Sequence, residues 1–183
     1  MRVLMLFPYA PLPPPNDLGG TKRNLPFMEE NLKRHEVSVL AFGTPADEAI
    51  FRKSYGDRCR HIRFVNRSRP RVLNGLQMLW LLFTGRSSFR QIYRQGLQSA
   101  LDELARTEHV DVIHCCTQMF GYFRFPAGIP VVSDTHEVTY DLHHRISRET
   151  RNLFVKLVSY LTYRNGRNEE ISLCGKLDRM IVL

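Results

Sequence analysis

RVLMLF (Arg2–Phe7) running straight into PYAPLPPPNDLGGTKR (Pro8–Arg23) is the stretch that decides the fold. The first part is an apolar run too short for a helix, the pattern of a strand covered on both faces in a parallel sheet. The second is proline-rich, then carries Gly19-Gly20, then opens a helix-like pattern. A strand, a loop and a helix start in that order bring bare backbone N–H groups up to an anion in α/β folds. The proline rings stiffen the loop, and the two glycines permit backbone shapes and close approaches that a side chain would block. Thr21, Lys22 and Arg23 begin the helix. There Lys22 and Arg23 oppose the helix dipole by about 0.3–1 kcal/mol each, and a bound anion would reverse that sign. The plain alternative is that both side chains turn into solvent. Gly19-Gly20 is not GxGxxG, so nothing here argues for a conventional dinucleotide site.

Working outward, Leu25, Met28 and Leu32 recur at helical spacing and Lys33-Arg34 suit a last turn, which predicts a helix over Thr21–Arg34 with Pro26 awkwardly inside it. Val37–Phe42 reads as a second buried strand closing a βαβ unit. Pro45–Tyr55 reads as a short helix, Ile62–Val65 as a strand and Gln91–Arg106 as an amphipathic helix. Val110–Cys115 and Pro130–Asp134 are further strands. Val138–Cys174 is helical with an interruption at Asn165-Gly166 and a stop at Gly175, and Leu177–Leu183 enters a last strand. The fold class expected is α/β: a Rossmann-like three-layer α/β/α domain with a mainly parallel sheet, one domain over residues 1–183.

The chain of 183 residues carries a formal net charge of +8, and the charge is local. From Arg58 to Leu101 there are nine arginines and no Asp or Glu, while the 18 acids lie elsewhere. Such a segment asks for an anionic partner such as a phosphate-bearing lipid, or is a solvated basic surface. The dense apolar run Pro70–Phe83 inside it fits a core groove or a membrane surface. Few aromatics are interleaved for base stacking and no groove-reading motif is present, so no nucleic-acid partner is expected. No apolar run reaches the roughly 20 residues that span a bilayer, and the N-terminus does not resemble a signal peptide. A cytoplasmic protein, at most peripheral on the inner face of a membrane, is expected. The four cysteines have no zinc spacing and read as reduced thiols.

Ser133-Asp134-Thr135-His136-Glu137 lies past a predicted strand, at the edge where α/β proteins collect catalytic groups. His136 between carboxylates could be an acid/base, a donor to a substrate hydroxyl, a ligand, or an ordinary loop histidine. His114, Cys115 and Cys116 end the preceding strand and His143-His144 open the long helix, but no recognised spacing joins them, so no metal is expected. Cys115 has no evident base partner as a nucleophile.

Taken together, MRVLMLFPYAPLPPPNDLGGTKR, KRHEVSVLAF, VDVIHCC, PVVSDTHEVTYD and NEEISLCGKLDRMIVL resemble the N-terminal half of the GT-B glycosyltransferases of the retaining, family-four type, in register along the whole chain. The resemblance implies an acceptor-side domain that faces a nucleotide-sugar-binding domain across a cleft, with that C-terminal domain absent from this chain. It implies a hexosyltransferase-type enzyme of cell-envelope polysaccharide assembly, with no metal and no cofactor beyond a nucleotide-diphosphate sugar as co-substrate. The acceptor would be a hydroxyl of a glycan or lipid-linked molecule. By position, Gly19 and Gly20 would approach the donor diphosphate, with Thr21, Lys22 and Arg23 beside them as acceptor or anion contacts. His136 would contact the donor sugar as the catalytic residue, and Glu170 would be a structural acid ahead of the last strand. Two departures stand out: Pro26 in the first helix, and Asn168-Glu169 where an aromatic usually precedes the late acid. The chain alone is expected to lack turnover, and a noncatalytic binding or assembly module derived from such an enzyme is the alternative.

Overall fold

A computed structural model describes residues 1–15, 21–66, 80, 83–86, 90, 93–135 and 138–182. Six strands form one sheet: β1 (Arg2–Phe7), β2 (Glu36–Phe42), β3 (Cys59–Val65), β4 (Val112–Cys115), β5 (Val131–Thr135) and β6 (Arg179–Val182). Their order is β3-β2-β1-β4-β5-β6 and every pairing is parallel. Five helices accompany them among the described residues: α1 (Thr21–Arg34), α2 (Pro45–Tyr55), α3 (Gln95–Thr107), α4 (Thr139–Glu149) and α5 (Leu153–Cys174). The chain is therefore the α/β, Rossmann-like three-layer domain expected.

The apolar run of β1 explains its central place. Leu4 and Leu6 face one side, where they pack with Leu40, Phe42, Phe120 and the Leu97, Leu101 and Leu104 stripe of α3. Val3, Met5 and Phe7 face the other, against Leu25 and Met28 of α1 and Phe51 and Tyr55 of α2. Leu4, Met5, Leu6 and Phe7 are wholly buried, and each such side chain contributes about 1.5–3 kcal/mol relative to exposure. Residues of β1 alternate faces, and both faces are covered because α1 and α2, the crossovers to β2 and β3, lie on one side and α3, which leads into β4, lies on the other.

Local chemistry sets the boundaries. Thr44 accepts from Asp47 N while Asp47 Oδ2 accepts from Thr44 N, a capping box that starts α2 just before Pro45. Pro26 lies within α1 on its exposed side. One expectation fails: the long helical stretch does not break at Asn165-Gly166. It breaks at Thr150–Asn152, where Asn152 Oδ1 accepts from Phe154 N and Val155 N and so caps α5. Gly166 continues inside α5 and is buried, packing having overridden its weak helix preference. The expected helix from Gln91 begins at Gln95, Arg94 standing at its cap. Within Pro70–Phe83, only Trp80 and Phe83 are among the described residues.

Candidate functional site

In this strand order the chain leaves β1 toward β2 on one side and reaches β4 from the far edge on the other. The carboxyl ends of β1 and β4 thus frame the crevice where open α/β sheets bind ligands. The chain after β1 and the amino end of α1 stand over that crevice. Lys22 is exposed there, Arg23 is partly buried, and the first turn of α1 holds no acid. Thr21 is the first residue of α1. Gly19, Gly20 and His136 lie outside the described residues.

What the structure gathers beneath this helix start is a set of buried polar side chains. Tyr9, just past β1, accepts a hydrogen bond on its hydroxyl from Asn24 Nδ2 at 2.7 Å. Its phenol is pushed up to about 12, first by burial and then by electrostatic interaction with Cys116 and Asp134, with Arg23 opposing. His114 is buried near the end of β4, its ring edge-on to Phe27 of α1 at 6.4 Å between centroids. Burial holds its imidazole below the usual histidine range, against the pull of Asp134. Burial also pushes the Cys115 and Cys116 thiols well up, helped by Asp134, which leaves both as neutral thiols of low nucleophilicity.

Among the described residues several of these groups find no hydrogen-bond partner: Arg23 Nη2, Asn24 Oδ1, His114 Nε2 and both carboxylate oxygens of Asp134. Thr135 Oγ1, at the end of β5, is another. Native interiors leave few buried polar atoms unmet, so their concentration at one sheet edge makes this the candidate site. One donor atom from each of His114, Cys116 and Asp134 lies within 4.8 Å of the others. His144, by contrast, stacks on Tyr163 with ring centroids 4.4 Å apart.

Sequence reading reached Arg23 and the Asp134 region but missed Tyr9 and Asn24. Asn24 carried a signal: it shares the inward helical face with Met28, at i and i+4, yet is polar and wholly buried. Glu170, expected to be structural, is buried and accepts from Gln118 Nε2, Thr139 N and Tyr140 N at 2.6, 3.0 and 2.9 Å.

The acid-free segment finds its counter-charges elsewhere in the chain. Arg60 pairs with Glu36 and Glu108, Arg63 with Glu103, and Arg90 with Glu169. Arg58 lies over the Tyr55 ring and Arg86 over Trp80, while Arg67, Arg69 and Arg71 lie outside the described residues. Separately, the start of α5 exposes Leu153, Phe154, Leu157 and Tyr160. Among the described helices none is long and apolar enough to cross a membrane. No family model matches this chain, and no curated protein matches it.

Proposed function

We propose that this chain is the acceptor-side domain of a retaining glycosyltransferase, which moves a sugar from a nucleotide-diphosphate sugar to a hydroxyl of a glycan or lipid-linked acceptor. The observation that carries the reading is the cluster of buried polar groups at the switch point that find no partner among the described residues, under a helix start bearing Lys22 and Arg23 and no acid. A helix amino end with two cations favours a diphosphate. Stabilising charge on a departing diphosphate is an electrostatic task that fixed N–H groups and cations perform. The backbone of Gly19 and Gly20 would supply further N–H groups, and His136 would position the sugar. A partner domain carrying the nucleotide pocket completes the cleft. The arginine-bearing segment Arg58–Leu101 would hold the anionic acceptor or the membrane surface that carries it, through the charges its ion pairs leave over.

The test is reconstitution: the chain is mixed with a separately expressed nucleotide-sugar domain and transfer of labelled sugar is followed. Transfer in the mixture, absent from either part alone and lowered about 10-fold or more by Arg23→Ala, is the expected result. Submillimolar donor binding by this chain alone, measured by calorimetry, contradicts a shared cleft. The second reading, a noncatalytic assembly module, is favoured by the exposed apolar row Leu153, Phe154, Leu157 and Tyr160, which is what a docking face looks like. It predicts association with the second domain and no transfer.

A further inference from the structure

Two neighbouring strands place three metal-binding side chains on one face of the sheet. His114 and Cys116 are two residues apart, and the ladder continues past β4 because Cys116 N donates to Leu6 O at 2.9 Å. Residues so spaced point the same way. Val132 pairs with His114, so Asp134, two further along β5, lies on that same face. The register thus assembles an imidazole nitrogen, a thiol sulfur and a carboxylate oxygen that no spacing in the sequence announces.

The separation of the donors, within 4.8 Å of one another, is close to what a shared ion requires, and all three residues are buried. An ordinary buried polar cluster satisfies itself. Here, among the described residues, His114 Nε2 and both oxygens of Asp134 have no hydrogen-bond partner, although Asp134 is wholly buried. A buried carboxylate without a donor is costly. A cation would meet the carboxylate and the imidazole at once. The donor set narrows which cation: sulfur and imidazole disfavour Mg2+ and Ca2+, and nitrogen, sulfur and oxygen together suit a borderline-soft divalent ion.

We propose that His114, Cys116 and Asp134 bind one Zn2+-type divalent ion at the carboxyl edge of the sheet. As the metal–sulfur bond forms, the Cys116 S–H bond breaks and its proton passes to solvent, with no change of oxidation state. Thiolate and carboxylate then balance the ion's charge. Three protein ligands leave a fourth tetrahedral position for water or an exogenous ligand, the arrangement of an open site rather than a closed structural one. The inference does not depend on the transferase reading, since it rests on three donor atoms and is read out without transfer.

Co2+ is the probe, added to the chain carrying Cys59→Ser and Cys174→Ser so that only the adjacent pair of thiols remains. Cys115 faces the opposite side of the sheet, with its carbonyl accepting from Ser133 Oγ. The expected result is one equivalent of bound Co2+ with a near-ultraviolet thiolate-to-cobalt band that Zn2+ displaces. Cys116→Ser removes the band, and Asp134→Asn weakens binding at least about 10-fold. A folded two-serine chain that gives no band overturns the proposal, as does a band that survives Cys116→Ser. Asp134→Asn removes a buried charge and keeps the side-chain shape, so unchanged Co2+ affinity in that variant overturns it even if Cys116→Ser does not fold.

Discussion

Glu170 and Tyr140 are 30 residues apart in sequence, yet Glu170 Oε2 accepts the backbone N–H of Tyr140 at 2.9 Å. Its other oxygen accepts from Thr139 N and from Gln118 Nε2. The residue before α4, Val138, offers no side-chain cap, so a carboxylate from α5 does the work of one, with a charge placed favourably at a helix amino end. One side chain thereby ties α4, α5 and the turn after β4 together.

Glu170→Ala removes three charge-assisted hydrogen bonds and leaves buried donors unmet. Such bonds contribute about 1.5–3 kcal/mol each before relaxation, so a loss of about 3 kcal/mol is expected in urea unfolding followed by circular dichroism. Glu170→Gln, which keeps an acceptor oxygen but no charge, should lose less. Equal stability of wild type and Glu170→Ala would show that α4 finds its cap elsewhere.

The same contact between α5 and the turn after β4 constrains Gly121. A Cβ there would stand 2.7 Å from Leu173 O and 2.9 Å from Leu173 Cβ, mostly backbone that cannot swing aside. Gly121→Ala should cost about 1–3 kcal/mol through overpacking. Gly175 is the control: its nearest neighbour to an added Cβ is 3.6 Å away and its φ of −66° suits any residue. Gly175→Ala should leave the thermal midpoint nearly unchanged.

Sequence legibility ends where packing and strand register decide. The elements themselves were legible because β1, β2 and α1 carry continuous or 3.6-period apolar patterns, and Thr44 and Pro45 announce α2. The break before α5 was misplaced because Gly166 and Asn165 look like a stop locally, while the real stop rests on an Asn152 cap and on packing that only tertiary structure shows. The candidate site was half legible for the same reason. A helix start after a glycine loop can be read from order alone, but the meeting of His114, Cys116 and Asp134 depends on strand register, which places residues 18 positions or more apart side by side. The basic segment was legible as composition but its pairing was not, since acids on β2, α3 and α5 meet Arg60, Arg63 and Arg90 only in the folded chain.

Tyr55 donates its hydroxyl proton to Glu29 Oε1 at 2.9 Å and is mostly buried, and its phenol is pushed up to about 12 by burial first and by Glu29 second. An ordinary tyrosine ionises near about 10. The neutral phenol is thus the form the fold prefers. Its contribution to stability is whole below the unfolded value and is lost as pH rises through about 12. Ultraviolet titration should show late-ionising tyrosines, Tyr9 and Tyr55, of which one phenol is lost in Tyr55→Phe, and the alkaline fall in stability should be shallower in that variant. A Tyr55→Phe variant that loses an ordinary early-ionising phenol and keeps the late step whole would mean that Tyr55 is open to solvent.

Asp134 leads to a prediction of opposite sign. Most substitutions of a wholly buried residue destabilise, yet among the described residues this carboxylate has no hydrogen-bond partner on either oxygen. Burying an unpaired ion is far more costly than burying an amide, so Asp134→Asn should raise the stability of the metal-free chain, by about 1–2 kcal/mol if it behaves like other sites that hold strain for function. The measurement is urea unfolding of both proteins in the presence of a chelator and again with excess Zn2+. With chelator the variant should be the more stable. With Zn2+ the order should close or reverse, because an ion bound only to the native state stabilises the wild type in proportion to its affinity. If Asp134→Asn is less stable in both conditions, the carboxylate is a structural acceptor and the polar atoms around it need another explanation.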